Sequence, residues 1–209
     1  RTPQSAIHAD VVQFRGSRSC ARTTGVSRKI RDAIGVIEQS SFNQFWINVE
    51  ASLRQLLGRS RVKGWVVDFE RPEDSERGCI NLRPAAEAVD TANMLQVSSE
   101  NLTGPTNAHE AGFFGIWKGP ANEDDPELSA ELKREGFKTH KNWIGWKWYK
   151  TEGLPDFLRS RENVIQLNAD NHTEDKPLAS AVAQILWQLF EAHRLRLEEL
   201  NRRVNGIRF

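Results

Sequence analysis

Residues 63–82 have the sequence KGWVVDFERPEDSERGCINL, and this stretch predicts the first hairpin of a β-sheet. Two apolar runs, Lys63–Phe69 and Cys79–Leu82, flank the polar segment Arg71–Gly78, whose composition is typical of a long hairpin loop. Strands joined by a hairpin lie antiparallel to one another. The stretch therefore favours an antiparallel sheet at the centre of the fold.

Three more strand candidates follow this hairpin along the chain. They are Asn93–Ser98 (NMLQVS), Gly112–Lys118 (GFFGIWK) and Asn142–Lys150 (NWIGWKWYK). Turn residues, among them Gly104 and Pro105, separate the first two candidates. In the third, alternate residues share a face of a strand, so we expect Trp146 and Trp148 on one side together with Ile144.

Helices are predicted on the N-terminal side of the hairpin. Apolar residues recur at helical spacing from Ile30 to Glu38, and again from Phe42 to Leu57. Between the two runs, Ser41 is a good N-cap, and Gly58 stands where the second run needs a C-terminal stop. The pattern predicts an N-terminal helix pair.

Further helices are predicted after the strands begin. Asp125 and Pro126 are typical of the start of a short helix, and a second short helix is expected from Pro155 to Arg161. A long terminal helix opens with Asp175 and runs over Pro177–Val204. Because strands and helices occupy separate runs, the sequence predicts an α+β fold: a mostly antiparallel sheet packed by the N-terminal helix pair and the long C-terminal helix.

The terminal helix also suggests a partner. It carries two adjacent apolar rows, Ile185 with Leu189 and Leu186 with Phe190. Such a face can dock on a partner helix or on a second copy of the chain. Self-association or a protein partner held through Pro177–Val204 is therefore one hypothesis for the function, in which the protein is a structural or assembly protein.

Charge is distributed unevenly over the 209 residues. The chain has 29 Lys and Arg against 28 Asp and Glu, yet residues 1–31 hold seven Lys and Arg with Asp10 as the single acid. This predicts a basic N-terminal arm, residues 1–28, before a single α+β domain, residues 29–209. The arm has three open interpretations: a nucleic-acid contact, the remnant of a transit peptide, or a solvated tail.

Composition excludes several classes of protein. The two cysteines, Cys20 and Cys79, cannot form a disulfide scaffold, and they favour a reducing compartment, so we expect a cytoplasmic protein. No apolar run reaches the roughly 18 residues that a membrane helix needs, so no membrane partner is expected. Neither a phosphate-binding glycine loop nor a nucleophile elbow is present. We predict no cofactor and expect that the protein is not itself catalytic.

Asp68 and Glu70 are the strongest candidates for a metal site. Residues two apart on a strand project from one face, so both carboxylates could bind one divalent cation. This leaves a divalent-metal-dependent, nuclease-like hydrolase as an alternative function. A two-strand nuclease would need a carboxylate and a lysine on the neighbouring strand, where this chain has Asn81 and Arg83. The pattern favours a polar outer face of the hairpin, and no metal ligand is assigned.

A second acid-rich run favours capping over metal binding. Asp170, His172, Glu174 and Asp175 resemble a ligand set in composition. They also stand where the terminal helix needs an N-cap and where acids stabilise the positive end of its dipole. Capping and solvation is the favoured interpretation.

Tryptophans alternate with lysines at Trp117–Lys118 and along residues 141–150. Single-stranded nucleic acid is bound by this combination of stacking planes and cations. Tryptophan on a sheet face can equally be core, and both interpretations stay open. Together with the basic arm, the predicted nucleic-acid-binding residues are Arg15, Arg18, Arg22, Arg28, Lys29, Lys141, Trp146, Lys147, Trp148 and Lys150.

Several of these segments carry a family resemblance. They are FNQFWINVEASLRQLLG, KGWVVDF, CINL, WIGWKWY and PLASAVAQILWQLFEAHRLRLEEL. From Phe42 to Val204 the chain resembles the C-terminal accessory regions of PD-(D/E)XK-type nuclease-like bacterial proteins. The resemblance implies a nuclease-associated accessory module that acts in DNA or RNA handling or in phage defence. It carries over no catalytic residue, because the acidic-x-lysine element is missing from the hairpin.

Overall fold

The computed structural model describes residues 20–70, 78–86, 89–100, 102, 111–120, 122–157 and 160–209. The chain divides into two compact units, Arg1–Ile37 and Glu38–Phe209. Most of the predicted arm, residues 1–28, lies outside the described residues. The sheet and the sites below belong to the second unit.

The described elements alternate little between helix and strand. In chain order they are α1 (Cys20–Arg59), β1 (Trp65–Glu70), β2 (Cys79–Pro84), a 3₁₀ turn (Thr91–Asn93), β3 (Gln96–Glu100), β4 (Phe113–Trp117), α2 (Pro126–Arg134), β5 (Lys138–His140), β6 (Trp143–Trp148), a second 3₁₀ turn (Tyr149–Glu152), α3 (Arg161–His172) and α4 (Pro177–Asn205). All strand pairs are antiparallel, and the sheet order is β1-β2-β3-β4-β6-β5. The predicted α+β class is confirmed.

Helices cover one face of this sheet. Trp46 of α1 packs on Tyr149 with ring centroids 6.1 Å apart, and Phe190 of α4 packs edge-on against Trp65 of β1 at 4.8 Å. Leu132 of α2 lies against the same core. These side chains are fully or almost fully buried, so they contribute to the apolar burial that stabilises the domain.

The predicted N-terminal helix pair is wrong in one respect, because α1 is continuous across Ser40 and Ser41. Ser41 is buried inside the helix, and its carbonyl oxygen accepts a hydrogen bond from Nδ2 of Asn171 on α3 at 2.9 Å. Serine costs only a few tenths of a kcal/mol in a helix interior. The full burial of Phe42 and Phe45 outweighs that preference.

The predicted start of α2 is confirmed. A carboxylate oxygen of Asp125 accepts a hydrogen bond from the backbone N–H of Leu128 at 2.9 Å, and Pro126 occupies the first helical position. The short helix expected from Pro155 to Arg161 is wrong for the residues described in that range, because residues 155–157 and 160 are not helical. Helix α3 begins at Arg161 instead, because Ser160 is its N-cap and accepts from Asn163 N–H at 3.2 Å.

Helix α4 begins at Pro177 as predicted, but its cap comes from α3. The Asp170 carboxylate accepts from the backbone N–H groups of Leu178 and Ala179, at 2.7 and 3.1 Å. The capping interpretation of the acid-rich run is therefore confirmed for Asp170, whereas Asp175 is exposed. Tertiary packing of α3 against α4 brings the distant carboxylate to the helix start.

The apolar rows of α4 serve the chain's own core. Leu186 and Phe190 are fully buried, Leu189 is almost so, and Ile185 is half-buried against the core. The rows that suggested a partner surface are therefore covered by the same chain. None of the helices in the described part of the chain has both the length and the apolarity that crossing a lipid bilayer requires.

Candidate nucleic-acid interface

Five aromatic side chains lie on the sheet face opposite the helices, and we call them the aromatic layer: Phe113, Trp117, Trp143, Trp146 and Trp148. In β4, Phe114 and Ile116 point into the helix-side core, so the alternate residues point outward. The strand register places Phe113 opposite Trp148 and Gly115 opposite Trp146. The layer therefore spans β4 and β6.

The rings of the layer are in continuous edge-on contact. The Phe113 ring centroid lies 5.3, 5.6 and 5.7 Å from those of Trp143, Trp146 and Trp148. Trp146 and Trp148 are 4.8 Å apart, and Trp117 lies 5.3 Å from Trp143. Edge-to-face pairs at these separations are favourable. Trp143 is only 5% exposed, while the other four rings are half-buried.

A β-bulge brings Trp143 into the layer. The register shifts between Ile116 and Trp117, so that Trp117 faces Trp143 and Ile144 is left over. An extra residue in one strand reverses the alternation of the side chains beyond it. Ile144 consequently enters the helix-side core, and the prediction that it shares a face with Trp146 and Trp148 is wrong.

Gly115 lies beneath the rings at the centre of the layer. A Cβ atom there would overlap the carbonyl oxygen of Gly145 and approach the Cα of Trp146 to 2.7 Å. Glycine is therefore required for the close approach of β4 to β6. At the end of β4, the Trp117 indole N–H donates to the carbonyl oxygen of Ala92 at 3.1 Å and holds that ring in place.

Strand β5 adds basic side chains that the sequence analysis missed. The register places Lys138 opposite Trp146 and His140 opposite Trp143, on the same face as the layer. The Lys138 ammonium lies 5.4 Å from the Trp146 ring centroid, which is cation–π distance. β5 has only three residues, too few for a recognisable strand pattern. The one signal in the sequence is the spacing of Lys138 and His140, because residues two apart share a face if the segment is a strand.

The three predicted lysines, Lys141, Lys147 and Lys150, differ in their exposure and in their partners. Lys141 and Lys150 are exposed, as a nucleic-acid contact requires. Lys147 instead points to the helix side, where it forms an ion pair with Glu152 at 2.5 Å and donates to the carbonyl oxygen of Glu135 at 3.1 Å. It is therefore separate from the aromatic layer, because Lys147 is one residue out of phase with Trp146 and Trp148.

The predicted basic residues of the N-terminal region, four arginines and Lys29, belong to the first unit. Arg15 and Arg18 lie outside the described residues, and Arg22 lies on α1 with no description of its side chain. Arg28 and Lys29 are exposed on α1. A phosphate-contacting role for these five residues stays a prediction.

The other half of the outer face, on β1–β3, is polar. The predicted hairpin is present, and its register places Asp68 opposite Asn81 and Glu70 opposite Cys79. The Arg83 guanidinium donates to the Asp68 carboxylate at 2.9 Å. In the alternative hydrolase site, Asp68 is thus paired with an arginine, and the residue opposite it is Asn81, where a metal site would need a carboxylate. Within the described residues, no three His, Cys, Asp or Glu side chains are grouped to hold a metal ion.

Cys79 lies in this polar half. Its thiol donates to Oε2 of Glu70 at 3.4 Å and accepts from Nδ2 of Asn81 at 3.3 Å. Burial raises the pKa of the Cys79 thiol to about 12, and the neighbouring Glu70 contributes in the same direction, against the opposing effect of the Asn81 hydrogen bond. A thiol held in its protonated form is a poor nucleophile.

Comparison of the chain with protein-family models, with curated proteins and with solved structures found no match. A function for the chain is therefore inferred from the geometry of the outer face.

Proposed function

We propose that the protein binds single-stranded nucleic acid on its aromatic layer. The observation that carries the proposal is the sheet of half-buried rings, Phe113, Trp117, Trp146 and Trp148, on a face that no helix of the described chain covers, with the Lys138 ammonium beside Trp146. A chain that used these rings only for its core would be expected to bury them completely, as it does Trp46.

Single strands fit this surface better than duplexes. Unstacked bases can lie on aromatic side chains, and each stacked base contributes about 1–3 kcal/mol to binding. Bases inside a duplex are already stacked on each other and present only their edges. A sheet face that displays aromatic rings is a recurrent way of binding single strands, both of RNA and of DNA.

Exposed basic side chains at the layer suit the phosphates of such a strand. Lys138 and His140 lie on the layer's own face, and Lys150 is exposed in the 3₁₀ turn that follows β6. Lysine contacts to phosphate add affinity without sequence preference and make binding dependent on salt. We therefore expect tolerant recognition of sequence.

In this proposal the protein binds nucleic acid and does not cleave it. Asp68 is paired with Arg83, and Cys79 is held protonated, so neither group is prepared for nucleophilic or acid–base chemistry. The corresponding role is that of an accessory module beside a nucleic-acid-processing partner. This agrees with the role that the family resemblance implies.

The test compares ring removal with ring replacement. In fluorescence-anisotropy titrations with a labelled strand of about 12 nucleotides, Trp146→Ala and Trp148→Ala should each weaken binding by about 5-fold to 150-fold, the equivalent of about 1–3 kcal/mol for a lost stacking partner. Trp146→Phe keeps an aromatic plane and should retain most of the affinity. Circular dichroism must show that the variants remain folded.

A control on the opposite face completes the design. Trp187 of α4 is 5% exposed and packs on Phe190 in the helix-side core, so Trp187→Phe should leave binding unchanged. The proposal is contradicted if the wild-type protein binds no single strand at low salt. It is equally contradicted if Trp146→Ala and Trp148→Ala bind as well as the wild type.

A further inference from the structure

A cleft of about 460 Å³ lies at the edge strand β5, between α2 and the β5–β6 hairpin. Its volume falls within the 300–1,000 Å³ that is usual for ligand sites. The lining includes Ser129, Lys133, Thr139, His140, Lys141 and Trp143. The cleft thus combines cations, hydroxyl groups and one aromatic wall.

The charge of the cleft favours an anion. Lys133 and Lys141 are both exposed, and neither forms an ion pair with another described residue. Asp124 is the acidic side chain of the lining, and it is held by the buried ammonium of Lys118 at 2.6 Å. With that carboxylate paired, the two lysines leave the cleft with a net positive charge.

The cleft is continuous with the aromatic layer. Trp143 lines the cleft, and its ring is 5.3 Å from those of Phe113 and Trp117. His140 also lines the cleft and pairs with Trp143 across the β5–β6 hairpin. A strand whose bases stack on the layer therefore reaches the cleft by crossing only β5, which is at the edge of the sheet.

We infer that this cleft holds backbone phosphates of the same single strand whose bases stack on the aromatic layer. Lys133 and Lys141 supply the charge, while the hydroxyl groups of Ser129 and Thr139 donate hydrogen bonds to phosphate oxygens. The inference rests on the proposed function and extends it. It makes the binding site a path that leaves the open face and turns around the edge of β5.

Salt dependence of binding tests this path. For a single strand, the slope of log affinity against log salt changes by about 0.7 for each phosphate neutralised. Lys133→Gln/Lys141→Gln should therefore flatten the slope by about 1.4 while leaving the Trp146→Ala effect in place. Arg61→Gln/Lys63→Gln is the matched control, since it removes two exposed charges beside β1, at the opposite edge of the sheet. This control should keep the wild-type slope.

Each result has a separate meaning. An unchanged slope in Lys133→Gln/Lys141→Gln, with wild-type binding intact, overturns the cleft as a phosphate site and leaves the aromatic layer standing. Equal flattening in both double variants overturns it too, because the effect would then follow net charge alone. Absence of wild-type binding contradicts the layer and the cleft together.

Discussion

Gly115 shows how one small residue permits the aromatic layer. Five large rings can meet edge-on above β4 and β6 because nothing projects from the strand between Phe113 and Trp117. The absent side chain also allows the carbonyl group of Gly145 to lie against the β4 backbone. Gly115 therefore contributes through the space that it leaves between β4 and β6 and has no side chain of its own to contribute.

We expect Gly115→Ala to lower the free energy of unfolding by about 1–3 kcal/mol, since the added methyl overlaps backbone atoms that have little freedom to move. Urea denaturation followed by circular dichroism measures this loss. Gly58→Ala is the control, because a Cβ there meets nothing within 4 Å. Equal stability of Gly115→Ala and wild type would show that the two strands can separate without cost.

Cys79 should be an unreactive thiol. With its pKa raised to about 12, it carries almost no thiolate at neutral pH. In a Cys20→Ser variant, alkylation of Cys79 by iodoacetamide at about pH 8 should be much slower in the folded protein than in urea. Equal rates in the two states would contradict this description of the site.

The raised pKa of Cys79 also determines how the stability of the protein changes with pH. An unfolded thiol ionises near pH 9, whereas folded Cys79 keeps its proton up to about pH 12. Between these values the folded state binds more protons than the unfolded state, so stability falls as pH rises. The comparison of Cys20→Ser with Cys20→Ser/Cys79→Ala isolates this contribution, which should be absent from the double variant.

Helices α1 and α4 depend on tertiary contacts that the local sequence does not predict. Helix α1 crosses a serine pair that favours a helix boundary, and α4 takes its cap from α3 eight or nine residues upstream of the N–H groups it caps. In both cases packing in the folded domain overrides the local preference.

The two acids before α4 provide a direct comparison. Asp170→Ala should lower the free energy of unfolding by about 1–2 kcal/mol, because it removes both hydrogen bonds to the start of α4. Asp175 is the acid with which the local sequence predicts that α4 opens. Asp175→Ala should nevertheless change the free energy of unfolding by less than about 0.5 kcal/mol, because Asp175 is exposed. Chemical denaturation of the two variants side by side decides between them, and a reversed order would contradict the assigned cap.

The domain as a whole is built around α4, whose buried face contacts the sheet and whose last turns are hydrogen-bonded to Leu95, the residue just before β3. Asn201, fully buried, accepts from the backbone N–H of Leu95 at 3.0 Å and donates to its carbonyl oxygen at 2.8 Å. The amide of Asn201 thereby satisfies polar backbone groups that would be costly to bury alone. Helix α4 therefore forms part of the core of the domain.

Leu186→Asp should therefore unfold the domain, because it places a charge in the core where Leu186 is 1% exposed. Leu195→Asp is the matched control on the same helix, since Leu195 is 71% exposed, and it should remain folded. Thermal unfolding together with analytical ultracentrifugation separates loss of fold from loss of association. A folded but dissociated Leu186→Asp protein would instead support the predicted partner surface on α4.

The sequence by itself determined the α+β class, the β1–β2 hairpin and the starts of α2 and α4, because hydrophobic period, turn residues and a proline at the first helical position act over a few neighbouring positions. It also pointed to the tryptophans of β6. Only the tertiary structure decided that Trp143 joins Trp146 and Trp148 and that β5 brings Lys138 to their rings. A bulge and a short edge strand set those neighbours, and both depend on pairing between residues distant in sequence, which no local pattern encodes.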